Sequence, residues 1–310
     1  MSSFIDISGG AGGLSLGLEE AGFTPLLVVE ANPDARETIR ANRDWPIEPV
    51  MSEFLAEGLA SRRVTLFAGN VSSAGISVAG VSQEAYARVE YMQILGLIRR
   101  IRPTAVLLIN VSGLMSARFA KLRAEIDGIL VDDGYRPAWS VLDSADYGLA
   151  QSRRRAVLVA IQADAFSRFV WPAPIGPPPS VGEALLPLMS ANSWPGAKQW
   201  ARLARGVAPT IVGGSKLHGG ADLGPSRTKD IWYSLGVDGS GIADKPPSPD
   251  MPIRASPRLT NPMLAALQGF PDNWIFEGKK TSVYRQIAGA FPPPTAVAIG
   301  RELMEALRRA

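Results

Sequence analysis

Residues 4–18 read FIDISGGAGGLSLGL. The apolar residues of 4–7 predict a strand, the glycines that follow predict a tight turn, and helical spacing begins at Leu14. Glycine lets the backbone approach a ligand closely, and a helix N-terminus favours negative charge. The stretch is therefore typical of a nucleotide-binding turn, with a plain tight turn as the alternative.

A second predicted strand supports the cofactor interpretation. It runs from Leu26 to Glu30, so Glu30 stands about 20 residues beyond the glycines, where an acidic side chain accepts hydrogen bonds from ribose hydroxyls. The alternative is an ordinary surface glutamate. The order of strand, turn, helix, strand and acid favours a cofactor site.

The first half of the chain alternates strands and helices, which predicts an α/β fold with a mostly parallel sheet covered on both faces. Further strands are expected over residues 64–68, 105–108, 136–142 and 156–161, and helices over 14–21, 33–42, 86–101, 119–132 and 285–310.

The composition of the chain changes after Trp171. Residues 172–260 are rich in proline and glycine, carry nine basic and six acidic residues, and show few helical patterns. We therefore expect two domains: a large one formed by residues 1–171 and 284–310, and a smaller, loop-rich one formed by residues 172–283.

Composition excludes several kinds of chemistry. The sequence contains no cysteine and one histidine, His218, so disulfides, thiolate metal sites and a cysteine nucleophile are excluded, and no metal site is expected. No apolar run reaches membrane-spanning length, and residues 1–4 contain no basic residue, so we expect no signal peptide and a cytoplasmic, DNA-associated location. A net charge of +3 permits a polyanionic partner.

Six motifs, in order, resemble those of the DNA cytosine-5 methyltransferases. The resemblance extends over nearly the whole chain and implies a Rossmann-like, S-adenosylmethionine-dependent methyltransferase fold with a target-recognition domain. The matching stretches are residues 4–18, 68–77, 109–114, 147–155, 258–271 and 284–293.

The two residues that carry the family's chemistry are replaced. In the family, a cysteine attacks carbon 6 of a flipped cytosine, a glutamate hydrogen-bonds the base, and carbon 5 takes the methyl group. Ser73 stands at the cysteine position, after Ser72, and Ile109 stands at the glutamate position. A serine hydroxyl is far less acidic than a thiol, and isoleucine transfers no proton. The resemblance therefore predicts that no catalytic residue is intact.

The motif with Gln151, Arg153 and Arg155 is retained. In the family these side chains support the catalytic pocket and contact the flipped nucleotide. A solvated basic cluster is the alternative interpretation. In this motif we expect anion contact, most simply with phosphate.

The cofactor motifs match in part. The resemblance assigns cofactor contacts to Asp6, Gly10, Gly12, Gly13, Leu14, Glu30 and Ala31. The departures are Ser8 for an aromatic residue, Glu53 as the nearest substitute for an acid expected near 51–52, Met263 for a usual glutamate, and Ala288-Gly289 for Gly-Asn. We therefore expect S-adenosylmethionine or S-adenosylhomocysteine to bind weakly or not at all.

The second domain is expected to contact DNA. Residues 209–220 predict an apolar strand that runs into a glycine-rich loop with Lys216 and His218, which suits close approach to a groove and phosphate. Asp222 and Arg227 form either a buried pair or a DNA contact. The predicted DNA-binding residues are Arg153, Arg155, Lys216, His218, Arg227 and Arg258. The residues predicted to lie in the core rather than to stack on bases are Trp194, Trp200, Trp232 and Trp274.

Three functions are consistent with this pattern. The favoured one is a pseudo-methyltransferase that binds DNA, regulates an active methyltransferase or restriction-modification partner, or does both. The second is an enzyme of altered chemistry that uses Ser72, Ser73, Gln151 and Arg153. The third is cytosine-5 methylation only in complex with a partner that supplies catalytic groups. The candidate protein partners are an active methyltransferase, a nuclease and a second copy of the chain.

Overall fold

The computed structural model of the chain describes residues 2–71, 81–213 and 221–308. The strands of its sheet are β1 Ser3–Asp6, β2 Thr24–Val29, β3 Ile47–Glu48, β4 Leu66–Asn70, β5 Ala105–Val111, β6 Tyr135–Asp143 and β7 Arg154–Gln162. They form one seven-stranded sheet in the order β3-β2-β1-β4-β5-β7-β6. Strand β7 is antiparallel to β5 and β6, and the other neighbours are parallel. The predicted α/β fold is confirmed.

The helices of the described residues are α1 Gly13–Glu20, α2 Pro33–Asn42, α3 Glu53–Ala60, α4 Val81–Ile101, α5 Ala120–Asp132, α6 Ala163–Phe166, α7 Val181–Met189, α8 Ala197–Leu203, α9 Ser226–Ser234, α10 Asn261–Gln268, α11 Lys280–Gly289 and α12 Pro293–Arg308. Local signals set several ends. Helix α2 begins with a proline after Asn32, whose side chain accepts a hydrogen bond from Asp34 N at 3.0 Å. Ser180 and Glu183 form a capping box at the start of α7.

Helices cover both faces of the sheet. On one face, α4 and α5 bury residues such as Ile98 and Ile126 against Phe67 and Leu158. On the other face, α1 and α12 pack against Phe4 and neighbouring strand residues. No helix among the described residues has the length and apolar character needed to cross a membrane. The helical pattern expected over 285–310 forms two helices, α11 and α12, which Pro292 and its neighbours separate.

A third apolar cluster lies largely within residues 181–290 and reaches the α1–α2 region through Leu16 and Ile39. It contains all four tryptophans that the sequence assigns to the core, and this prediction is confirmed. Residues 172–260 contain the short helices α7, α8 and α9, and the rest of their described residues form mainly turns and loops, as their pattern predicts. The predicted domain limit at residue 283 falls inside α11 and stays a prediction.

The predicted strand beginning at Pro209 is not present over residues 209–213. This segment instead pairs through its backbone with side chains of other elements. Ile211 N donates to Gln151 Oε1 at 2.9 Å, and Val212 O accepts from the Tyr284 hydroxyl at 2.5 Å. Since these bonds satisfy the backbone, the segment needs no strand partner.

Candidate functional site

The glycine-rich turn lies at the carboxyl end of β1. Gly10 and Gly12 have φ angles of 52° and 87°, in the left-handed region that glycine adopts without strain. A β-carbon at Gly10 would meet no described atom within 4 Å, whereas one at Gly13 would lie 2.3 Å from Phe291 O. Gly10 therefore faces open space, and Gly13 is required by packing.

Glu30 holds the turn to the end of β2. Its two carboxylate oxygens accept hydrogen bonds from Gly10 N at 2.6 Å and from Asn32 N at 2.7 Å. Each carboxylate oxygen has further acceptor capacity, so hydrogen bonding to ribose hydroxyls stays compatible with this geometry. Ala31, the next predicted contact, is exposed.

The sequence analysis missed Glu48, because β3 has only two residues and no periodic pattern. Glu48 ends β3, its side chain is exposed, and its carbonyl accepts from Glu30 N at 2.9 Å. Two acidic residues therefore end adjacent strands beside the turn. Glu53, the predicted substitute acid, lies exposed in the first turn of α3 instead.

Asp6 lies beneath the turn. It is fully buried and accepts hydrogen bonds from Ser15 Oγ at 2.7 Å and Ser8 N at 3.1 Å. Leu14 is also buried, and its side chain packs in the core. The side chains of these two predicted cofactor residues therefore support the turn from within rather than face a ligand.

Burial raises the pKa of Asp6 from 3.8 to about 6. Because the folded pKa lies above the unfolded one, the native state is favoured while Asp6 is protonated and loses stability as the pH rises from about 4 to about 6. We expect Asp6→Asn to remove this loss. Its stability relative to the parent should shift by about 2 kcal/mol in its favour between pH 4 and pH 7.

Urea unfolding of both proteins at the two pH values measures this shift. Asp44→Asn, at an exposed position, is the matched control. Parallel stability curves for the parent and Asp6→Asn would show that the Asp6 carboxylate is not destabilised by its burial.

Ser8 joins the turn to the strand that leads toward the cysteine position. Its hydroxyl donates to Asn70 O at 2.7 Å and accepts from Asn70 N at 2.8 Å. Asn70 Nδ2 in turn donates to Gly289 O at 3.1 Å. Asn70, which the sequence analysis did not single out, thus connects β1, β4 and α11. Ser72, Ser73, Lys216 and His218 lie outside the described residues.

Ile109 is fully buried near the carboxyl end of β5. It lies opposite Val157 on β7 and belongs to the apolar cluster beneath α12. Arg155 is two residues along β7 from Val157, which makes it a diagonal neighbour of Ile109 on the same face of the sheet. A carboxylate at position 109 would therefore lie within reach of the Arg155 guanidinium, and isoleucine provides none.

The guanidinium of Arg155 stays charged although it is poorly solvated. Desolvation lowers its pKa to about 10, and its Nη1 donates to the Arg154 carbonyl at 3.1 Å. This guanidinium is therefore predominantly cationic at neutral pH. It is the retained motif residue that remains a candidate for anion contact.

Arg153 does not fit the phosphate contact predicted for it. It is 1% exposed, and its guanidinium donates to the carbonyls of Ile211 at 3.0 Å, Ala288 at 2.6 Å and Ala290 at 3.0 Å. Burial lowers its pKa well below the ordinary value, and the charge of Arg155 lowers it further. The side chain thus fastens β7 to two later segments of the chain.

Gln151 has a similar internal role. It is fully buried, and its Nε2 donates to Leu267 O at 3.1 Å and Gln268 Oε1 at 2.5 Å. Gln268 Nε2 continues the network to Ile287 O at 2.9 Å. The retained motif thus forms a buried polar network that ties together residues more than 100 positions apart.

The buried Asp222–Arg227 pair, one of the two alternatives for these residues, is not formed. Asp222 pairs instead with Lys229, at 2.7 Å, two residues beyond Arg227 in α9. Arg227 is exposed at the start of α9 and therefore available to a ligand.

Arg258, another predicted DNA contact, is tied to its own domain. Its Nε donates to Asp238 Oδ2 at 2.8 Å and its Nη2 to Ser240 Oγ at 3.0 Å. Hydrogen bonds from Ser240 and Arg258 lower the pKa of Asp238 to about 2. The guanidinium remains half exposed, so it keeps a solvent-facing side.

Comparison with known proteins assigns the chain to a family. The family profile described as C-5 cytosine-specific DNA methylase matches residues 2–191 and 235–305. The chain belongs to the C-5 cytosine-specific DNA methylase family. This confirms the resemblance found in the sequence motifs.

Two curated relatives of this C-5 cytosine methylase cover nearly all of it. The type II methyltransferase M.NaeI of Lentzea aerocolonigenes is 45% identical over 308 residues, which is 98% of this chain and 75% of M.NaeI. M.NgoMIV of Neisseria gonorrhoeae is 38% identical over 317 residues, 98% of each protein. The S. pombe Dnmt2 methyltransferase structure has the same fold, with a TM-score of 0.65 at 16% identity over 99% of both chains.

Proposed function

We propose that this C-5 cytosine methylase family member is non-catalytic, binds DNA, and acts beside an active methyltransferase or restriction partner. The observation that carries the proposal is the burial of Ile109 in an apolar cluster diagonal to Arg155. An acid that hydrogen-bonds the target base has to stand at this position in the family. Isoleucine can neither polarise the base nor exchange a proton with it.

The nucleophile is replaced as well. Ser73 occupies the cysteine position in the sequence. A serine needs a neighbouring base to become a nucleophile, whereas a thiol with a pKa near about 8.5 is partly ionised at neutral pH. The single histidine of the chain, His218, lies 145 positions away in the second predicted domain. The residues at both positions thus support the proposal that the family reaction is absent.

The cofactor site fits S-adenosylmethionine in part. Glu30 and the backbone of Gly10 would hold its ribose end, and the open space at Gly10 admits a ligand close to the backbone. When bound, this cofactor supplies an activated methyl group. Ser8 provides no aromatic surface beside it, and its hydroxyl is already engaged with Asn70. We therefore infer weakened cofactor binding.

DNA binding rests on the relatives and on the exposed basic residues. M.NaeI and M.NgoMIV are named type II methyltransferases, a class that acts on DNA. Arg227 is exposed and Arg258 half exposed in the second predicted domain, and Arg155 remains cationic beside the carboxyl end of β5. These three guanidinium groups supply phosphate contacts without requiring an intact reaction centre.

Methyl transfer provides the direct test. With tritiated S-adenosylmethionine and mixed-sequence duplex DNA, the chain alone is expected to give no transfer above a protein-free blank. The variant Ser73→Cys with Ile109→Glu is expected to recover less than about 1% of the rate of an intact type II methyltransferase, because the cofactor motifs also depart from the family pattern at Ser8 and Gly289. Transfer to carbon 5 by the parent chain would overturn the proposal.

Two binding measurements separate the alternatives. A gel shift over a salt series is expected to show duplex binding that weakens as salt rises. Calorimetric titration with S-adenosylmethionine is expected to show weak binding. Submicromolar cofactor affinity would instead favour methylation in complex with a partner, which the open Gly10 cradle and the intact Glu30 contacts make the second candidate.

A further inference from the structure

A group of arginines lies at the edge of the sheet opposite the candidate cofactor and DNA site. Arg63 precedes β4, Arg102 precedes β5, and Arg168 follows β7, whose carboxyl end is at this edge because β7 is antiparallel. The seven residues of β5 span about 20 Å at about 3.3 Å per residue. This edge is therefore well separated from Gly10, Glu30 and Arg155.

The three arginines line one cavity with a volume of 350 Å³. Its other lining residues are Val64, Thr104, Gln162 and Ala165. Among the residues whose side chains the structure describes, the lining holds three cationic groups and no carboxylate. We name these three residues the edge arginine cluster.

Arg168 lines the cavity and carries one buried donor that has no acceptor. Its Nε donates to Ala306 O at 3.0 Å, which fixes the side chain against α12. Its Nη2 is buried and has no hydrogen-bond partner among the described residues. A buried guanidinium nitrogen without an acceptor is costly, and an anionic oxygen would satisfy it.

Arg102 is held in an unusual backbone conformation. Its φ is 52°, and its N–H donates to Ile98 O at 2.8 Å at the end of α4. This left-handed position normally favours glycine, and a side chain here carries a backbone cost. The chain nevertheless presents an exposed arginine at the mouth of the cavity.

Exposed basic residues extend the charge beyond the cavity. Arg62 precedes Arg63 in the chain, and Arg136 lies opposite Ile161, next to Gln162. Both are exposed. Asp133 is engaged elsewhere, since it pairs with Arg99 Nε at 2.9 Å. The charged surface is thus longer than a single phosphate ion and suits an extended polyanion.

We propose that the edge arginine cluster binds the phosphate backbone of a second nucleic-acid segment, so that one molecule holds two duplexes. Guanidinium groups make strong, charge-assisted hydrogen bonds to phosphate oxygens. The cavity takes one phosphate beside Arg168, and the exposed arginines follow the adjoining backbone. This site is additional to the DNA contact of the proposed function, and the bridging of two duplexes rests on that contact as well.

Bridging of two duplexes tests the proposal. Two 30-base-pair duplexes, one with a donor dye and one with an acceptor dye, are mixed with the full chain, and energy transfer is recorded over a salt series. Transfer is expected with the parent chain. The variant Arg63→Gln with Arg102→Gly is expected to lose at least fivefold of the transfer signal, while glycine relieves the backbone cost at position 102.

Arg40→Gln with Arg301→Gln removes the same charge elsewhere on the exposed surface and is expected to leave transfer unchanged. For the cluster variant, the slope of log affinity against log salt at the second site should fall by about 2, as two phosphate contacts are lost. The affinity for a single duplex, measured by fluorescence anisotropy, should differ less than threefold between the cluster variant and the parent chain. If the DNA contact of the proposed function is absent, the parent chain is expected to bind one duplex through the edge arginine cluster alone. The cluster variant would then lose that binding.

Three outcomes would overturn the proposal. They are absence of bridging by the parent chain, equal bridging by the cluster variant, and calorimetric binding of tripolyphosphate to the cluster without bridging. The last outcome would assign the cavity to a free phosphate-bearing molecule rather than to a nucleic-acid backbone.

Discussion

Arg153→Ala is expected to lower the free energy of unfolding by about 3 kcal/mol or more. The substitution removes three hydrogen bonds to backbone carbonyls and opens a cavity between β7 and α11. Ala290 O keeps a second donor in Gln268 Nε2, but the carbonyls of Ile211 and Ala288 lose the guanidinium that reaches them. Each buried carbonyl without a partner costs about 1–3 kcal/mol, and release of a desolvated charge offsets part of the sum.

Urea unfolding at neutral pH measures this effect, and Arg154→Ala is the matched control. Arg154 is the next residue, and its side chain is exposed, so its replacement should change stability by less than about 0.5 kcal/mol. A stable Arg153→Ala protein that has lost DNA affinity tenfold would contradict the structural role. That outcome would instead support the phosphate contact that the motif predicts for Arg153.

Gly17→Ala is expected to destabilise the fold by about 3 kcal/mol through overpacking. Gly17 lies in α1 where α12 crosses it, and an added β-carbon would lie 2.4 Å from Ala296 Cβ and 2.5 Å from Pro293 O. Backbone atoms cannot move aside as a flexible side chain does, so the two helices would have to separate. Because α1 follows the glycine turn directly, the same shift would reach Gly10 and Glu30.

The same glycine-to-alanine substitution at Gly58 is expected to stabilise the fold rather than destabilise it. Gly58 lies within α3, and a β-carbon there would meet no described atom within 4 Å. Alanine should stabilise this helix by about 0.5–1 kcal/mol because it loses less conformational freedom on folding. Thermal or urea unfolding of both variants compares them. Equal effects at the two positions would refute the close packing of α1 on α12.

Local pattern predicted the strands and helices of the first half of the chain well. Helix α2 has the predicted bounds 33–42, and the strand, turn and helix of residues 4–18 form as expected. These elements carry their signals within a few residues, in apolar period, glycine and proline placement, and capping side chains. Strand β3 and helix α3 escaped prediction because β3 is two residues long and α3 is short and follows no long periodic run.

The functions of individual side chains were predicted less well. The three arginines at 153–155 look alike in sequence, yet Arg153 is buried, Arg154 exposed and Arg155 intermediate. The alternation of side chains along the strand and the packing of α11 determine how far each of these arginines is exposed. Asp222 likewise pairs with Lys229 rather than Arg227, because the start of α9 turns Arg227 to solvent.

The sequence by itself determined the absence of a thiol, the serine at position 73, the isoleucine at position 109 and the order of motifs that places the chain among cytosine-5 methylases. Only the tertiary structure decided that Ile109 is a diagonal neighbour of Arg155 and that Arg63, Arg102 and Arg168 share one cavity. Composition and motif order are properties of the chain alone. Contacts between residues dozens of positions apart are set by strand register and helix packing, which no local pattern contains.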